Sequence, residues 1–256
     1  MKAMIFAAGL GTRLKPLTDH MPKALVPVAG KPMLEHVIQK LIAFGCDEIV
    51  INVHHFANQI IDFVKANNNF GITIHISDET DMLLDTGGGI KKASSFFNEP
   101  FLIHNVDILS NADLDWLQSQ VRPDALATLM VSERETTRFL LFHPETMRLV
   151  GWHNTNTGDH HLADESIALE DCRALGFSGI HILSDKVFDL MDEYARWRNL
   201  PVEDPSGVKF SIMNFYLWAA LKYPIYGVIA QDLNFLDVGK LDALAPAEAF
   251  VAQLFQ

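Results

Sequence analysis

Short apolar runs alternating with amphipathic stretches over the first half of the chain constrain its fold more than any other feature. Strands are expected at residues 2–7, 48–53, 72–77 and 101–105, and helices at 32–44, 57–67, 89–97 and 112–121. The strands are apolar almost throughout, as they must be when both faces of a sheet are covered, and the repeated β-α-β order implies parallel pairing between helical layers. The expected class is α/β: a Rossmann-like three-layer α/β/α sandwich with a central mixed, mainly parallel sheet. Ligands in such sheets bind beyond the carboxyl ends of the strands.

From residue 125 the texture changes. Strands are expected at 125–131, 139–143, 149–152 and 176–183 without long helices between them, which suggests antiparallel or mixed additions to the sheet. The polar stretches 153–171 and 195–207 read as loops. Helices are expected at 210–222 and 241–255, around a strand at 225–229. No linker-like segment divides the 256 residues, so one domain over 1–256 is expected.

The first expected strand runs into Ala8-Gly9-Leu10-Gly11-Thr12-Arg13-Leu14, followed by Thr18 and Pro22-Lys23. A strand feeding a glycine-rich turn with an Arg and, ten residues on, a Lys is a cradle for a polyphosphate. Glycines let the backbone approach an anion, and the two cations neutralise it. Two common phosphate loops are excluded by counting. Leu14 precedes Lys15 where a Walker A loop needs Gly, and Leu14 also stands where the third Gly of the dinucleotide fingerprint belongs. The acidic residue expected after the second strand is missing as well, since Ile49-Val50-Ile51-Asn52-Val53 ends in His54-His55.

What the loop resembles is the signature of the sugar nucleotidyltransferases, which join a nucleoside triphosphate to a sugar 1-phosphate. The match lies in Ala7-Ala8-Gly9-Leu10-Gly11-Thr12-Arg13, Pro22-Lys23-Ala24-Leu25 and Gly30-Lys31-Pro32-Met33. It continues in order through Leu84-Asp85-Thr86-Gly87-Gly88-Gly89, Asn105-Val106-Asp107 and Leu236-Asp237-Val238-Gly239. The resemblance implies the nucleotide-diphospho-sugar transferase fold, with nucleotide held by about residues 1–124 and sugar by about 125–240. It implies no C-terminal β-helix domain, since hexapeptide repeats are absent.

Nucleotidyl transfer needs no general base. A phosphate monoester has a second pKa of about 6 and is already ionised at neutral pH, so the task is to position two anions and neutralise their charge. Arg13 follows the turn closely enough for its planar fork to take the leaving pyrophosphate; the resemblance places Lys23 near the α-phosphate or the incoming phosphate, and Lys15 is a further candidate cation. The resemblance places Mg²⁺ on Asp107 and Asp237, each after an apolar run, in keeping with the one or two carboxylates that Mg²⁺ takes beside phosphate oxygens. Ala8, Gly9, Gly11 and Thr12 are expected to cradle the nucleotide. Gly87 and Gly88, read as preceding a helix, are expected to present N–H groups to it. Asn105, Arg138, Ser178 and Gly179 are expected on the sugar side. One departure is Val106, where the family usually has Gly.

Within the family, Thr-Gly-Gly-Gly at 86–89, Phe-Ser-Gly-Ile at 177–180 and the lack of a Glu-Lys-Pro segment resemble N-acetylmuramate 1-phosphate uridylyltransferases, which implies UTP. Mannose-1-phosphate guanylyltransferases share much of the pattern. A phosphocholine-type cytidylyltransferase and a silent nucleotide-sugar sensor are the further alternatives. A net charge of −12 argues against a nucleic-acid polymer as partner, and no apolar run approaches the roughly 18 residues of a membrane span. With no export signal and two isolated cysteines, Cys46 and Cys172, a cytoplasmic protein with reduced thiols is expected, as a monomer or small homo-oligomer.

Overall fold

The computed structural model describes residues 1–164, 166–202 and 207–254. The first half supplies β1 (Ala3–Phe6), the short hairpin β2 (Pro27–Val28) and β3 (Lys31–Pro32), α1 (Met33–Ala43), β4 (Glu48–Val53), α2 (Ala57–Ala66), β5 (Thr73–Asp78), α3 (Asp85–Lys92), β6 (Phe101–Asn105), β7 (Ile108–Ser110) and α4 (Leu114–Ser119). Then follow β8 (Ala127–Ser132), β9 (Arg138–Phe142), β10 (Leu149–Asn154), β11 (His160–Leu162), β12 (Arg173–Leu183), α5 (Val187–Trp197), α6 (Ile212–Ala219), β13 (Ile225–Ile229), β14 (Phe235–Asp237) and α7 (Leu244–Leu254).

The strands β5, β4, β1 and β6 pair in parallel; β12 then runs antiparallel between β6 and β8, and β13 pairs in parallel with β8. This is the mixed, mainly parallel sheet expected, and its two faces are packed separately. Side chains alternate across a strand. Thus Met4, Val50, Phe101 and Ile103 face a core completed by α3, α5 and α6, whereas Ile5, Ile51 and Leu102 face one completed by α1, α2 and α4. Fully burying each such side chain contributes roughly 1.5–3 kcal/mol. A third cluster, with Leu14, Val28, Met33, Val238 and Val251, ties the turn after β1 to α7.

β12 does two jobs. Its C-terminal half pairs with β6, whereas Arg173–Leu175 pair with β9 and lead into the antiparallel β9–β10–β11 ribbon. Its pairing with β8 slips between Phe177 and His181, and the bulge holds Ser178 and Gly179. A strand bent at that point sits beside the end of β6, where Asn105 lies.

Several elements differ from the sequence reading. The expected loop 153–171 contains the end of β10 and all of β11, because Asn154 to Gly158 closes a turn with Gly158 at φ +76. Residue 165 lies outside the described residues. α5 occupies a stretch given no helix, although buried Val187, Leu190, Met191, Tyr194 and Ala195 repeat at helical spacing. The expected loop at 195–207 therefore starts only after Trp197; residues 203–206, and residue 255 of the last expected helix, lie outside the described residues. α3 begins at Asp85 rather than 89, so Gly87, Gly88 and Gly89 lie inside the helix. No helix among the described residues is long and apolar enough to cross a membrane.

Two histidines are built into the sheet, His104 on β6 and His181 on β12, both buried. His104 Nδ1 donates to the Asn105 carbonyl at 2.8 Å, whereas neither ring nitrogen of His181 has a partner among the described residues. Burial pushes His104 from 6.5 down to about 4 and His181 down to about 3. The unfolded chain takes up these protons below about pH 6.5 and the folded chain does not, so each neutral histidine makes folding less favourable as pH falls from 6.5 toward its folded value. The expected loss is about 1.4 kcal/mol per pH unit for each. Denaturant titrations at pH 7.5, 6 and 5 check this, and His181→Leu should halve the slope. An unchanged slope in that variant would show that His181 titrates normally.

Candidate active site

The turn after β1 is shaped by two different glycine requirements. Gly11 adopts φ +65, and a Cβ there would stand 2.9 Å from both Lys23 Cβ and Thr18 Cγ2. A side chain would therefore separate the turn from Lys23. Thr18 Oγ1 donates to the Gly11 carbonyl at 2.8 Å and locks the same contact. Gly9 is the opposite case, exposed and with nothing within 4 Å of its Cβ position, so its backbone is open to a ligand. Thr12 and Arg13 form the exposed helical turn that follows.

The ends of β1, β4 and β6 open on a cleft of about 340 Å³, lined among others by Ala7, Ala8, Gly9, Lys23, Asn105 and Asp107. Five of the residues singled out from sequence thus share one cavity at the carboxyl ends of parallel strands. Lys23 Nζ donates to Asp107 Oδ2. Asp237 is brought beside Asp107 by strand pairing: β14 pairs with β7, with Asp237 opposite Ile108, and Val238 N–H donates to the Asp107 carbonyl at 2.8 Å. Gly239 marks where the groups converge. A Cβ there would lie 2.6 Å from Asp237 Oδ1, 2.8 Å from Arg13 Nη2 and 3.3 Å from Asp107 Oδ2. One cation from the turn after β1, one carboxylate from the turn between β6 and β7 and one from β14 therefore surround one glycine. The Arg13 guanidinium makes no hydrogen bond or ion pair among the described residues, which leaves its planar fork open for two phosphate oxygens.

Two hard oxygen donors near the cleft fit Mg²⁺, which needs no full protein cage and completes its shell with water and, where present, phosphate oxygens. Among the described residues no group of three or more His, Cys, Asp or Glu is placed to hold a metal. Any divalent ion here would therefore rely on the substrate for part of its coordination.

Other expected residues fall elsewhere. The N–H groups of Gly87 and Gly88 donate to the Phe210 carbonyl at 2.9 and 3.1 Å, so they are turned away from the cleft. The glycines serve close packing instead: a Cβ on Gly88 would stand 2.0 Å from the Val208 carbonyl oxygen, and one on Gly87 2.4 Å from the Phe210 ring. Ser178 is buried, donates from Oγ to the Met130 carbonyl at 2.8 Å and accepts from Ile180 N–H at 3.2 Å, which directs it into the sheet. Gly179, at φ +78, leaves the room that Asn105 fills, since a Cβ would stand 2.6 Å from Asn105 Nδ2. Arg138 begins β9, exposed and opposite Asn154, and does not line the cleft. Lys15 pairs with Asp19 at 3.2 Å on the surface.

The sequence reading missed a buried polar chain under the cleft. Asn52 Oδ1 accepts from Ala7 N–H at 2.8 Å, Asn52 Nδ2 donates to Glu79 Oε1 at 2.8 Å, and Glu79 Oε2 accepts from Leu84 N–H at 3.0 Å. Burial pushes the Glu79 carboxyl up, against the bonds from Leu84 and Asn52 that hold it down. The chain ties the turn after β1 to the start of α3 across β4 and β5. Asn52, a polar residue within an apolar strand, was the signal available. Lys209 and Thr86 also line the cleft. Lys209 carries no local signal, because it arrives only when the segment before α6 docks on α3.

A Rossmann-like sheet with a glycine turn, two cations and two carboxylates at its strand ends defines a class of protein that handles nucleoside polyphosphates. A family model described as Nucleotidyl transferase matches residues 2–139. An N-acetylmuramate α-1-phosphate uridylyltransferase of Caulobacter vibrioides is 32% identical, over 98% of this chain and 97% of its own. A probable mannose-1-phosphate guanylyltransferase of Arabidopsis thaliana is 38% identical, over 45% of this chain and 34% of its own. In architecture the chain is similar to a putative glucose-1-phosphate thymidylyltransferase from Bacillus anthracis, with TM-score 0.77 and 18% identity over 98% and 94% of the two chains. The chain belongs to the nucleotidyl transferase family and to its sugar-1-phosphate nucleotidyltransferases.

Proposed function

We propose that this enzyme transfers uridylyl from UTP to N-acetylmuramate 1-phosphate, releasing pyrophosphate. The single observation that carries the reading is the likeness to the Caulobacter uridylyltransferase along almost the full length of both chains. The mannose-1-phosphate guanylyltransferase reading rests on likenesses to two Arabidopsis relatives that cover 45% and 52% of this chain. In the proposed division of labour, residues 1–124 hold the nucleotide and 125–240 shape the sugar pocket.

The open backbone at Gly9 lets the triphosphate approach the end of β1, with Ala8 beside it. Arg13 neutralises the leaving pyrophosphate. Lys23, held over the cleft by Gly11 and paired with Asp107, neutralises charge where the two substrates meet. Asp107 and Asp237 would hold Mg²⁺, which when bound withdraws charge from the phosphates and favours in-line attack. The sugar phosphate is already ionised at neutral pH, so no residue needs to remove a proton. Asn105, at the end of β6 and next to Asp107, is placed to meet the sugar.

Pyrophosphate release across UTP, GTP, CTP and dTTP, each with N-acetylmuramate, mannose and glucose 1-phosphates and with phosphocholine, tests the reading. UTP with N-acetylmuramate 1-phosphate should exceed every other pair by at least about tenfold, the size of discrimination that one well-made polar contact supplies. Preference for GTP with mannose 1-phosphate would replace it with the guanylyltransferase reading. Binding without turnover for every pair would make the protein a sensor.

A further inference from the structure

Of the cations already placed, Arg13 and Lys23 belong to the segment that follows β1, and Lys209 comes from the segment before α6. The incoming sugar phosphate is a second, largely dianionic group, and holding it against a triphosphate requires positive charge on the opposite side of the carboxylates. Sequence reading offered Arg138 for the sugar side. Both Arg138 and Arg134 are exposed and neither lines the cleft; Arg138 begins β9, in register with Asn154.

Arg134, four residues earlier in the connection from β8 to β9, is built in differently. Its guanidinium carbon lies 4.6 Å from the centre of the Phe235 ring. Phe235 and Asp237 are i and i+2 on β14, so they share a face, and Arg134 stands on the face to which Asp237 points. Nη2 donates to the Phe177 carbonyl at 3.2 Å, in the strand segment that bulges at Ser178 and Gly179. Gly176 opens the path for the side chain: a Cβ there would meet Arg134 Cγ and Nε, both at 2.7 Å. Partial loss of water pushes the Arg134 pKa down from its ordinary value, and the Asp237 carboxylate acts in the opposite direction. A stacked, partly bonded guanidinium is pre-organised, and among the described residues only one of its five N–H groups is bonded.

We propose that Arg134, and not Arg138, is the cation that binds the phosphate of the incoming sugar 1-phosphate. This rests on the transferase reading for the identity of the second substrate. It extends that reading by naming an anion site made by the β8–β9 connection, the β12 bulge and β14. The site presents a planar fork to phosphate beside Asp237.

The test separates Arg134 from the reaction class by measuring equilibrium binding as well as turnover. Wild-type protein, Arg134→Gln, Arg134→Lys and Arg138→Gln are titrated with UTP, with N-acetylmuramate 1-phosphate, with mannose 1-phosphate and with inorganic phosphate. Loss of charge-assisted hydrogen bonds to phosphate should weaken binding of the sugar phosphate and of inorganic phosphate about 10- to 100-fold in Arg134→Gln, and leave UTP binding within about twofold. Arg134→Lys should recover part of the loss by returning the charge without the fork, and Arg138→Gln should resemble wild type. Unchanged phosphate affinity in Arg134→Gln, or an equal loss for UTP, overturns the assignment. Wild-type protein that binds phosphate through Arg134 but turns over no pair of substrates would sink the transferase reading and leave the anion site standing.

Discussion

Replacing Asp107 or Asp237 by Asn is expected to lower the rate of pyrophosphate release by about 10³-fold in either variant, with the fold retained. Asn keeps the shape of the side chain and removes its charge. At Asp107 it also leaves Lys23 without its ion-pair partner. Both carboxylate oxygens near Gly239 lie close to Arg13, so either substitution raises net positive charge where charge is meant to be balanced. The magnitude follows from removing one preorganised electrostatic partner in phosphoryl and acyl transfer, which costs about 10² to 10³ or more. Single-turnover rates at saturating substrate, with Mg²⁺ varied, measure the effect. Rates within tenfold of wild type in both variants would remove these carboxylates from the chemistry.

The second large effect concerns stability. Gly88→Ala in an ordinary helix would stabilise by about 1 kcal/mol, because Ala is the better helix former. Here the opposite is expected, a loss of about 3 kcal/mol. The added methyl would stand 2.0 Å from the Val208 carbonyl oxygen and 3.0 Å from Leu84 Cβ, and a backbone carbonyl cannot rotate aside as a side chain can. The segment before α6 would have to lift from α3, straining the bonds from Gly87 and Gly88 to Phe210, from Phe210 to Leu84 at 3.1 Å and from Ile212 to Thr86 Oγ1 at 3.0 Å. Lys209 would leave the cleft with it. Urea unfolding reads the stability change directly, and the sign alone decides: a variant as stable as wild type or more so would mean that α3 and its neighbour pack less closely than described.

Most of the sheet was legible because its strands are short, apolar and bounded by turns. β4, β6 and β13 fall at the residues read from the sequence. α5 carries an equally plain helical repeat in Val187, Leu190, Met191, Tyr194 and Ala195. β11 was not legible, since a three-residue strand of His160, His161 and Leu162 has no apolar run and exists only by pairing with β10. The same distinction runs through the site. Gly9, Lys23 and Asp107 stand near strand ends, and a strand end at the carboxyl edge of a parallel sheet is a position that sequence order predicts. Gly87 and Gly88 were read as open to ligand because glycine before a helix has that use. Which atom approaches a glycine depends on a segment more than a hundred residues away.

The sequence by itself determined the fold class and the family resemblance, since periodicity sets strands and helices and the turn from Gly9 to Arg13 has the residues expected of a polyphosphate cradle. Only the tertiary structure decided which residues meet across that cradle. Asn52 bonds Ala7 and Glu79 from another strand; Ser178 turns into the sheet while Asn105 fills the room left by Gly179; Arg134 rather than Arg138 lies against β14. The physical reason is range. Backbone preferences and apolar periodicity act over a few residues and can be read locally. Hydrogen bonds, ion pairs and the exclusion of one atom by another act over about 3–4 Å in space, and closure of the sheet brings together residues far apart along the chain.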